Sequence, residues 1–176
     1  MRKQGNSFFT LIELLVVMAV ISILAGLLLH VTVRMKQRGL KASCINNLRQ
    51  IGQAIEMYAS SNNYFLPYCT MRPSDPPEGE EEFASIPEAL SPYLPETSEI
   101  YLCPADAGKK YFLLEGLSYE WQTVALINGR KVDSASLKVF GYDKVLLMDY
   151  DNFHGQTHPK NFLFIDARVT GDLEFK

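Results

Sequence analysis

The stretch Phe9-Thr10-Leu11-Ile12-Glu13-Leu14 opens a run of apolar residues that reaches Val33. From Leu11 to Leu29 its only ionisable side chain is Glu13. A hydrocarbon core about 30 Å thick needs roughly 20 helical residues, so the run is long enough to cross a bilayer. A charged group there costs about 2.5–3.5 kcal/mol on insertion scales, and such groups normally have a partner. Arg2 and Lys3 precede the run, as in a secretory signal. The apolar core of such a signal, though, is roughly 7–15 residues long and ends at a small-residue cleavage site. This run is longer, holds Glu13 and passes without proline into Arg34-Met35-Lys36-Gln37-Arg38. Removal after the core is therefore not expected. A plain signal anchor is the simpler alternative, and it gives Glu13 no task.

The helical pattern continues beyond the run. Ile45, Leu48, Ile51, Ile55 and Tyr58 recur every three or four residues, which is one face of a helix. Asn46, Asn47, Arg49, Gln50, Gln53 and Glu56 fall mostly elsewhere. One helix is predicted from about Phe9 to Ser60, with bends at Gly26 or Gly39. Its outer half has an apolar face for a small domain. Its inner half is apolar all round, and only membrane or neighbouring copies can cover it.

After Ser60 the character changes. Eight of the nine prolines fall between Pro67 and Pro104, which excludes continuous helix or central strand there. The acidic run Ser74 to Glu82 reads as a solvated loop. Its sharper readings are a contact surface for a basic partner or a loose calcium site, although no EF-hand spacing is present. Ile86 to Tyr93 is expected to form a short helix ending before Pro95. Tyr111–Leu114, Ser118–Ile127, Lys144–Asp149 and Asn161–Val169 carry strand composition. Asn128-Gly129 and Thr170-Gly171-Asp172 are turn signals. Antiparallel pairing of Val145–Met148 with Phe162–Ile165 would give a sheet to cover the helix.

Composition narrows the function. With 176 residues and 47% hydrophobic content, the chain suits one long helix and one modest domain. A net charge of -3 offers no basic surface for nucleic acid, and no nucleic-acid-binding motif is present. Cys44, Cys69 and Cys103 show no metal-type pair spacing. Outside the cytoplasm one disulfide can form, leaving one thiol over. Cys69–Cys103 is the expected pair, and three reduced thiols are the alternative. Asp149, Asp151, His154, His158 and Asp166 are the candidate metal ligands or acid–base groups. Three of them could converge if their strands are neighbours; otherwise such residues cap turns or stay solvated. Zinc-hydrolase, serine-elbow and Cys–His nucleophile motifs are absent, so no enzyme activity is expected. No cofactor is expected either, calcium being the one candidate. Trp121 and the tyrosines read as core or subunit contacts.

The segment Phe9–Val17, read Phe-Thr-Leu-Ile-Glu-Leu-Leu-Val-Val, resembles the N-terminus of type IV pilins and type II secretion pseudopilins. The resemblance implies cutting by a prepilin peptidase on the cytoplasmic side of the apolar run. It implies N-methylation of the new first residue and a Glu fifth in the mature chain. Phe9 as first residue puts Glu13 fifth; Phe8 as first residue puts it sixth. Phe8 stands where the family usually has Gly, so both bonds remain open. A second resemblance, to pseudopilin-like proteins of planctomycetes, rests on Cys44-Ile45-Asn46-Asn47-Leu48-Arg49-Gln50-Ile51-Gly52, Tyr93, Cys103-Pro104-Ala105-Asp106, Ser118-Tyr119 and Asn161–Val169. That group ends in Asp-Gly-His-Val, with a His nine residues earlier. Here Ala167 and Arg168 replace the Gly and His, and His158 lies eight positions before Asp166.

Together these resemblances imply an α+β, type IV pilin-like fold: a long N-terminal helix packed on a small antiparallel β-sheet. Residues 1–8 would be leader, 9–33 the membrane and filament-core helix, and 34–60 its amphipathic continuation. Residues 61–176 would be the extracytoplasmic head, with Pro-rich loops over 64–110. The implied location is the bacterial inner membrane, crossed once with the N-terminus cytoplasmic and the head periplasmic, and then a filament. The implied partners are other pilin subunits, the peptidase, an inner-membrane assembly platform and lipid. Arg34, Lys36, Arg38 and Lys41 outnumber Arg2 and Lys3, so the positive-inside rule taken alone favours the opposite orientation. Two function classes compete: a polymerising filament subunit, and a monomeric anchored domain binding a ligand or metal through residues 149–166.

Overall fold

The computed structural model describes residues 10–76, 78, 83–122, 128–132, 144–154 and 160–171, without the side chains of 27–31. The chain divides into two compact units, Met1–Arg38 and Gly39–Lys176.

Helix α1 spans Leu11–Ser61. Its start is a reciprocal cap. The Thr10 hydroxyl oxygen accepts from Glu13 N at 3.3 Å, and Glu13 Oε2 accepts from Thr10 N at 2.8 Å. This satisfies amides that the first turn leaves without helical partners. In the first unit, apolar side chains are open to their surroundings: Leu11 is 84% exposed, and even Val17 is 46% exposed. Ser22, a polar residue inside this run, donates its hydroxyl to Met18 O at 2.8 Å, so the helix satisfies it internally. Among the described residues no helix is long and apolar enough to cross a membrane. The expected 9–33 span includes residue 9 and the side chains of 27–31, which lie outside the described residues.

In the second unit α1 turns one face to a core. Cys44, Leu48, Ile51, Ala54, Ile55 and Ala59 are buried there, with Tyr58 partly buried. Cys44 holds the place in the repeat where Ile45 was expected; Ile45 is only half-buried. The helix ends where Asn63 and Tyr64 turn to positive φ, 54° and 65°. There Tyr64 N donates to Ala59 O at 2.6 Å, and the Asn62 side-chain amide donates to Tyr58 O at 2.8 Å. These bonds close the last turn as a left-handed cap does.

The fold is α+β, with one four-stranded antiparallel sheet. Strands β1 (Tyr119–Trp121), β2 (Val145–Asp149), β3 (Phe162–Phe164) and β4 (Val169–Thr170) lie side by side in chain order. β2 pairs with β3 through Val145↔Phe164, Leu147↔Leu163 and Met148↔Phe162. This is the pairing expected from the sequence. A single core joins Leu48, Ile51 and Ile55 of α1 to Tyr119, Trp121, Leu147 and Leu163 of the sheet. Gly52 permits the close approach: a β-carbon there would stand 3.0 Å from Leu163 Cδ1.

Three expectations about elements are corrected. Tyr111–Leu114 is not a strand but part of helix α3, Lys110–Glu115. The buried Asp106 carboxylate accepts from the amides of Lys110, Tyr111 and Phe112 at 3.1–3.2 Å, and from Ser118 Oγ at 2.9 Å. Gly116, at φ 78°, ends the turn. The stretch Asn161–Val169 is not one strand but a hairpin. Phe164 N donates to Arg168 O at 2.9 Å, and Ala167, at φ 61°, reverses the chain. The helix expected over Ile86–Tyr93 is shorter: α2 covers Ile86–Ala89, opened by a Ser85–Glu88 capping box. The N-terminal part of the Ser118–Ile127 expectation is β1; residues 123–127 lie outside the described residues.

The proline-rich segment is held by side chains more than by ladders. The buried Asn128 amide accepts from Cys69 N at 2.9 Å and Trp121 Nε1 at 3.1 Å, and donates to Cys69 O at 3.0 Å. It thus takes the part of a neighbouring strand for Cys69.

Candidate functional site

Two places carry chemistry, one in each unit. In the first, Glu13 Oε2 receives both the backbone N–H and the hydroxyl of Thr10, at 2.8 and 2.7 Å. Phe8 and Phe9, the expected processing residues, lie outside the described residues.

In the second unit, four side chains from separate segments converge. Asp149 is the last residue of β2 and fully buried. Its Oδ2 accepts from Asn161 N at 2.7 Å, and its own N–H donates to Asn161 O at 3.1 Å, so the β2–β3 pairing fixes the carboxylate. The turn after β2 brings His154 back, with Nε2 3.2 Å from Asp149 Oδ2. The two side chains are 1% and 0% exposed. The same Nε2 lies 3.6 Å from Cys103 Sγ. Cys103 is in turn disulfide-bonded to Cys44 of α1, with Cα atoms 5.0 Å apart. Among the described residues Asp149 Oδ1, His154 Nδ1 and both amide atoms of Asn161 have no hydrogen-bond partner. Buried polar atoms of that kind are few in native proteins. An imidazole with its proton on Nε2 donates to Asp149, which leaves Nδ1 as a buried acceptor. Nearby, burial and then the Asp149 charge push the Tyr119 hydroxyl upward, which keeps it neutral.

The structure brings together Asp149 and His154 from the sequence-based set and adds Cys44 and Cys103. It leaves Asp151 and Asp166 elsewhere. Asp151 is exposed; the Asn152 N–H, then the Tyr111 hydroxyl, hold its carboxyl below the ordinary carboxylate range. Asp166 sits in the β3–β4 turn, accepting from Arg168 N at 3.2 Å, and borders a cavity of about 480 Å³ with Gly52, Ile55 and Phe164. His158 lies outside the described residues, as does much of the acidic run considered for calcium. Of that run, Ser74 bonds Glu115 through both its amide and its hydroxyl, at 3.0 and 2.6 Å.

The expected Cys69–Cys103 disulfide is corrected to Cys44–Cys103. Cys69 is a free, buried thiol. Its backbone is pinned by Asn128 and by a bridge to Ala84, and its Sγ faces Ser85 O at 3.8 Å. Burial, then the Glu88 charge, push that thiol up to about 12. The missed signal was the spacing Cys44, Leu48, Ile51, Ile55, which puts Cys44 on the core face of α1.

No protein-family model matches this chain, nor does any curated protein or solved structure.

Proposed function

We propose that the chain is a pilin-like subunit, a pseudopilin that polymerises through its N-terminal helix. The reading rests on one observation: a helix whose apolar side chains from Leu11 to Leu24 are exposed around a single carboxylate, Glu13. Water does not tolerate such a surface, and lipid or neighbouring helices would cover it. The resemblance of Phe9–Val17 to prepilin N-termini supplies the chemistry. Prepilin peptidase cuts before Phe9 or Phe8, and the new N-terminus is methylated. The freed N-terminal ammonium of one subunit pairs with Glu13 of the next, which offsets much of the cost of holding either charge out of water.

The Thr10–Glu13 cap fits this role. Both cuts leave Thr10 with an amide N–H, so the cap survives processing. Oε2 is already engaged by Thr10, and Oε1, which takes no hydrogen bond among the described residues, would receive the neighbour's ammonium. In this reading 9–33 spans the inner membrane, the head is periplasmic, and the basic residues from Arg34 to Lys41 meet lipid head groups. The filament is a type II secretion pseudopilus or a type IV pilus-like fibre, and the subunit is not an enzyme.

Two measurements test it. Glu13→Ala should still insert in the inner membrane but lose assembly into sedimentable filaments; unchanged filaments would end the Glu13 mechanism. Mass spectrometry of the mature protein should find a methylated Phe at the N-terminus. An intact Met1 would favour the anchored monomer, the reading that the buried Cys44–Cys103–His154–Asp149 cluster supports.

A further inference from the structure

We propose that Cys44, Cys103, His154 and Asp149 form a redox-gated site for a thiophilic divalent cation of the zinc class, filled when the disulfide is reduced. Cys44 Sγ, Cys103 Sγ and a His154 ring nitrogen lie within 4.8 Å of one another. Asp149 Oδ2 adds an oxygen 3.2 Å from that ring's Nε2. Two thiolates, an imidazole and a carboxylate are a donor set that zinc accepts in tetrahedral sites.

The distances fit. With metal–sulfur bonds of about 2.3 Å and metal–nitrogen or –oxygen bonds of about 2.05 Å, tetrahedral edges are about 3.6 Å for S···N and about 3.3 Å for N···O. The structure has 3.6 Å between Cys103 Sγ and His154 Nε2, and 3.2 Å between His154 Nε2 and Asp149 Oδ2. Two edges of the tetrahedron thus have the right length, and the opened disulfide frees Cys44 Sγ to join Cys103 Sγ and the His154 nitrogen. The surroundings point the same way. Asp149 is fully buried, with Oδ1 unpartnered among the described residues, so its charge is under-compensated. A cation between the ligands would supply that compensation. Asn161 N holds Asp149 Oδ2 in position, as the outer contacts of metal ligands do.

The exchange balances. A dithiol reductant breaks the Cys44–Cys103 bond, becomes its own disulfide and leaves two cysteine thiols. Cation binding at His154 Nε2 then releases those two thiol protons to solvent, and the imidazole keeps its one ring proton on Nδ1. A disulfide-class oxidant reverses the sequence: it takes the two electrons, re-forms the Cys44–Cys103 bond and expels the cation. Cys44 and Cys103, 59 positions apart, stay joined in both states. The inference does not depend on polymerisation.

The test uses the full chain in detergent micelles with Cys69→Ala, which removes the third thiol. The chain is reduced, freed of reductant without air, and titrated with cobalt(II) and zinc(II). One cation per chain is expected, with a thiolate-to-cobalt charge-transfer band and tetrahedral cobalt absorption. The oxidised chain should bind at least tenfold more weakly. His154→Ala and Asp149→Asn should each weaken binding at least tenfold while the oxidised variants keep native circular dichroism. Equal binding by oxidised and reduced chains, or cobalt bound without the charge-transfer band, would overturn the proposal. If either variant fails to fold, the reduced chain decides alone, by the presence or absence of tetrahedral thiolate-bound cobalt.

Discussion

Ala167 reverses the chain between β3 and β4 at φ 61°, a conformation in which an L side chain is strained by roughly 1–2 kcal/mol. Ala167→Gly should therefore raise stability by about 0.5–1 kcal/mol, the relief of strain being partly offset by a freer unfolded chain. A higher urea midpoint at unchanged slope would show it. Gly129 is the converse case. It sits at φ 63°, and an added β-carbon would collide with the Tyr68 ring. Gly129→Ala should cost about 1–3 kcal/mol by the same measurement. Cys69 makes stability depend on pH. Its thiol is raised to about 12 in the fold, against about 8.5 when unfolded. The folded state holds this proton over that interval, so the contribution is complete below about pH 8.5 and lost as pH rises toward 12. Urea midpoints should fall between pH 8 and pH 10.5, and fall less in Cys69→Ala. At this scale the sequence was only partly legible. Three cysteines imply one bridge and one spare thiol. Which one is spare depends on Asn128 capturing the backbone of Cys69, a contact across 59 positions that no local pattern announces.

Among elements, those with long or paired patterns were readable. The period of α1 survives over many turns, and β2 and β3 are apolar runs bounded by polar residues. Helix α3 was not readable, because a four-residue apolar run has no decisive period. Its conformation is set by Asp106, whose carboxylate collects three amides of the first turn and the Ser118 hydroxyl. Asp106→Ala strands the buried Ser118 hydroxyl and three part-buried amides and should destabilise the fold by about 2–3 kcal/mol, as judged by urea unfolding. The hairpin at residues 165–168 was misread for a related reason: Asp166-Ala167 lacks the glycine that marks a tight turn.

For the whole molecule, one covalent link ties α1 to the segment before α3. Closing a loop of 59 positions restricts the unfolded chain by about 4 kcal/mol in the chain-entropy description. Replacing Cys44 and Cys103 together by Ser should lower unfolding free energy by roughly 2–5 kcal/mol. A loss well under 1 kcal/mol in the same urea assay would mean that the core alone sets stability. The candidate site was legible to the extent that Asp149 and His154 lie on one strand and the turn after it. Cys44 and Cys103 join it only through tertiary packing. Asp151 and Asp166 have the right chemistry, but Asp151 lies past the end of β2 in an exposed bend, and the hairpin carries Asp166 elsewhere.

The pairing of Cys44 with Cys103 also sets an order of events. Cys69 is nearer in sequence to each of the other two cysteines than they are to one another. Loop closure in a disordered chain favours short loops, so premature oxidation yields Cys44–Cys69 or Cys69–Cys103. Only a chain that has already buried Cys69 is steered to the longer link. A high yield of the Cys44–Cys103 pair is thus what oxidation after folding of the head would leave, and a mixture rich in mispaired isomers is what oxidation too soon would leave.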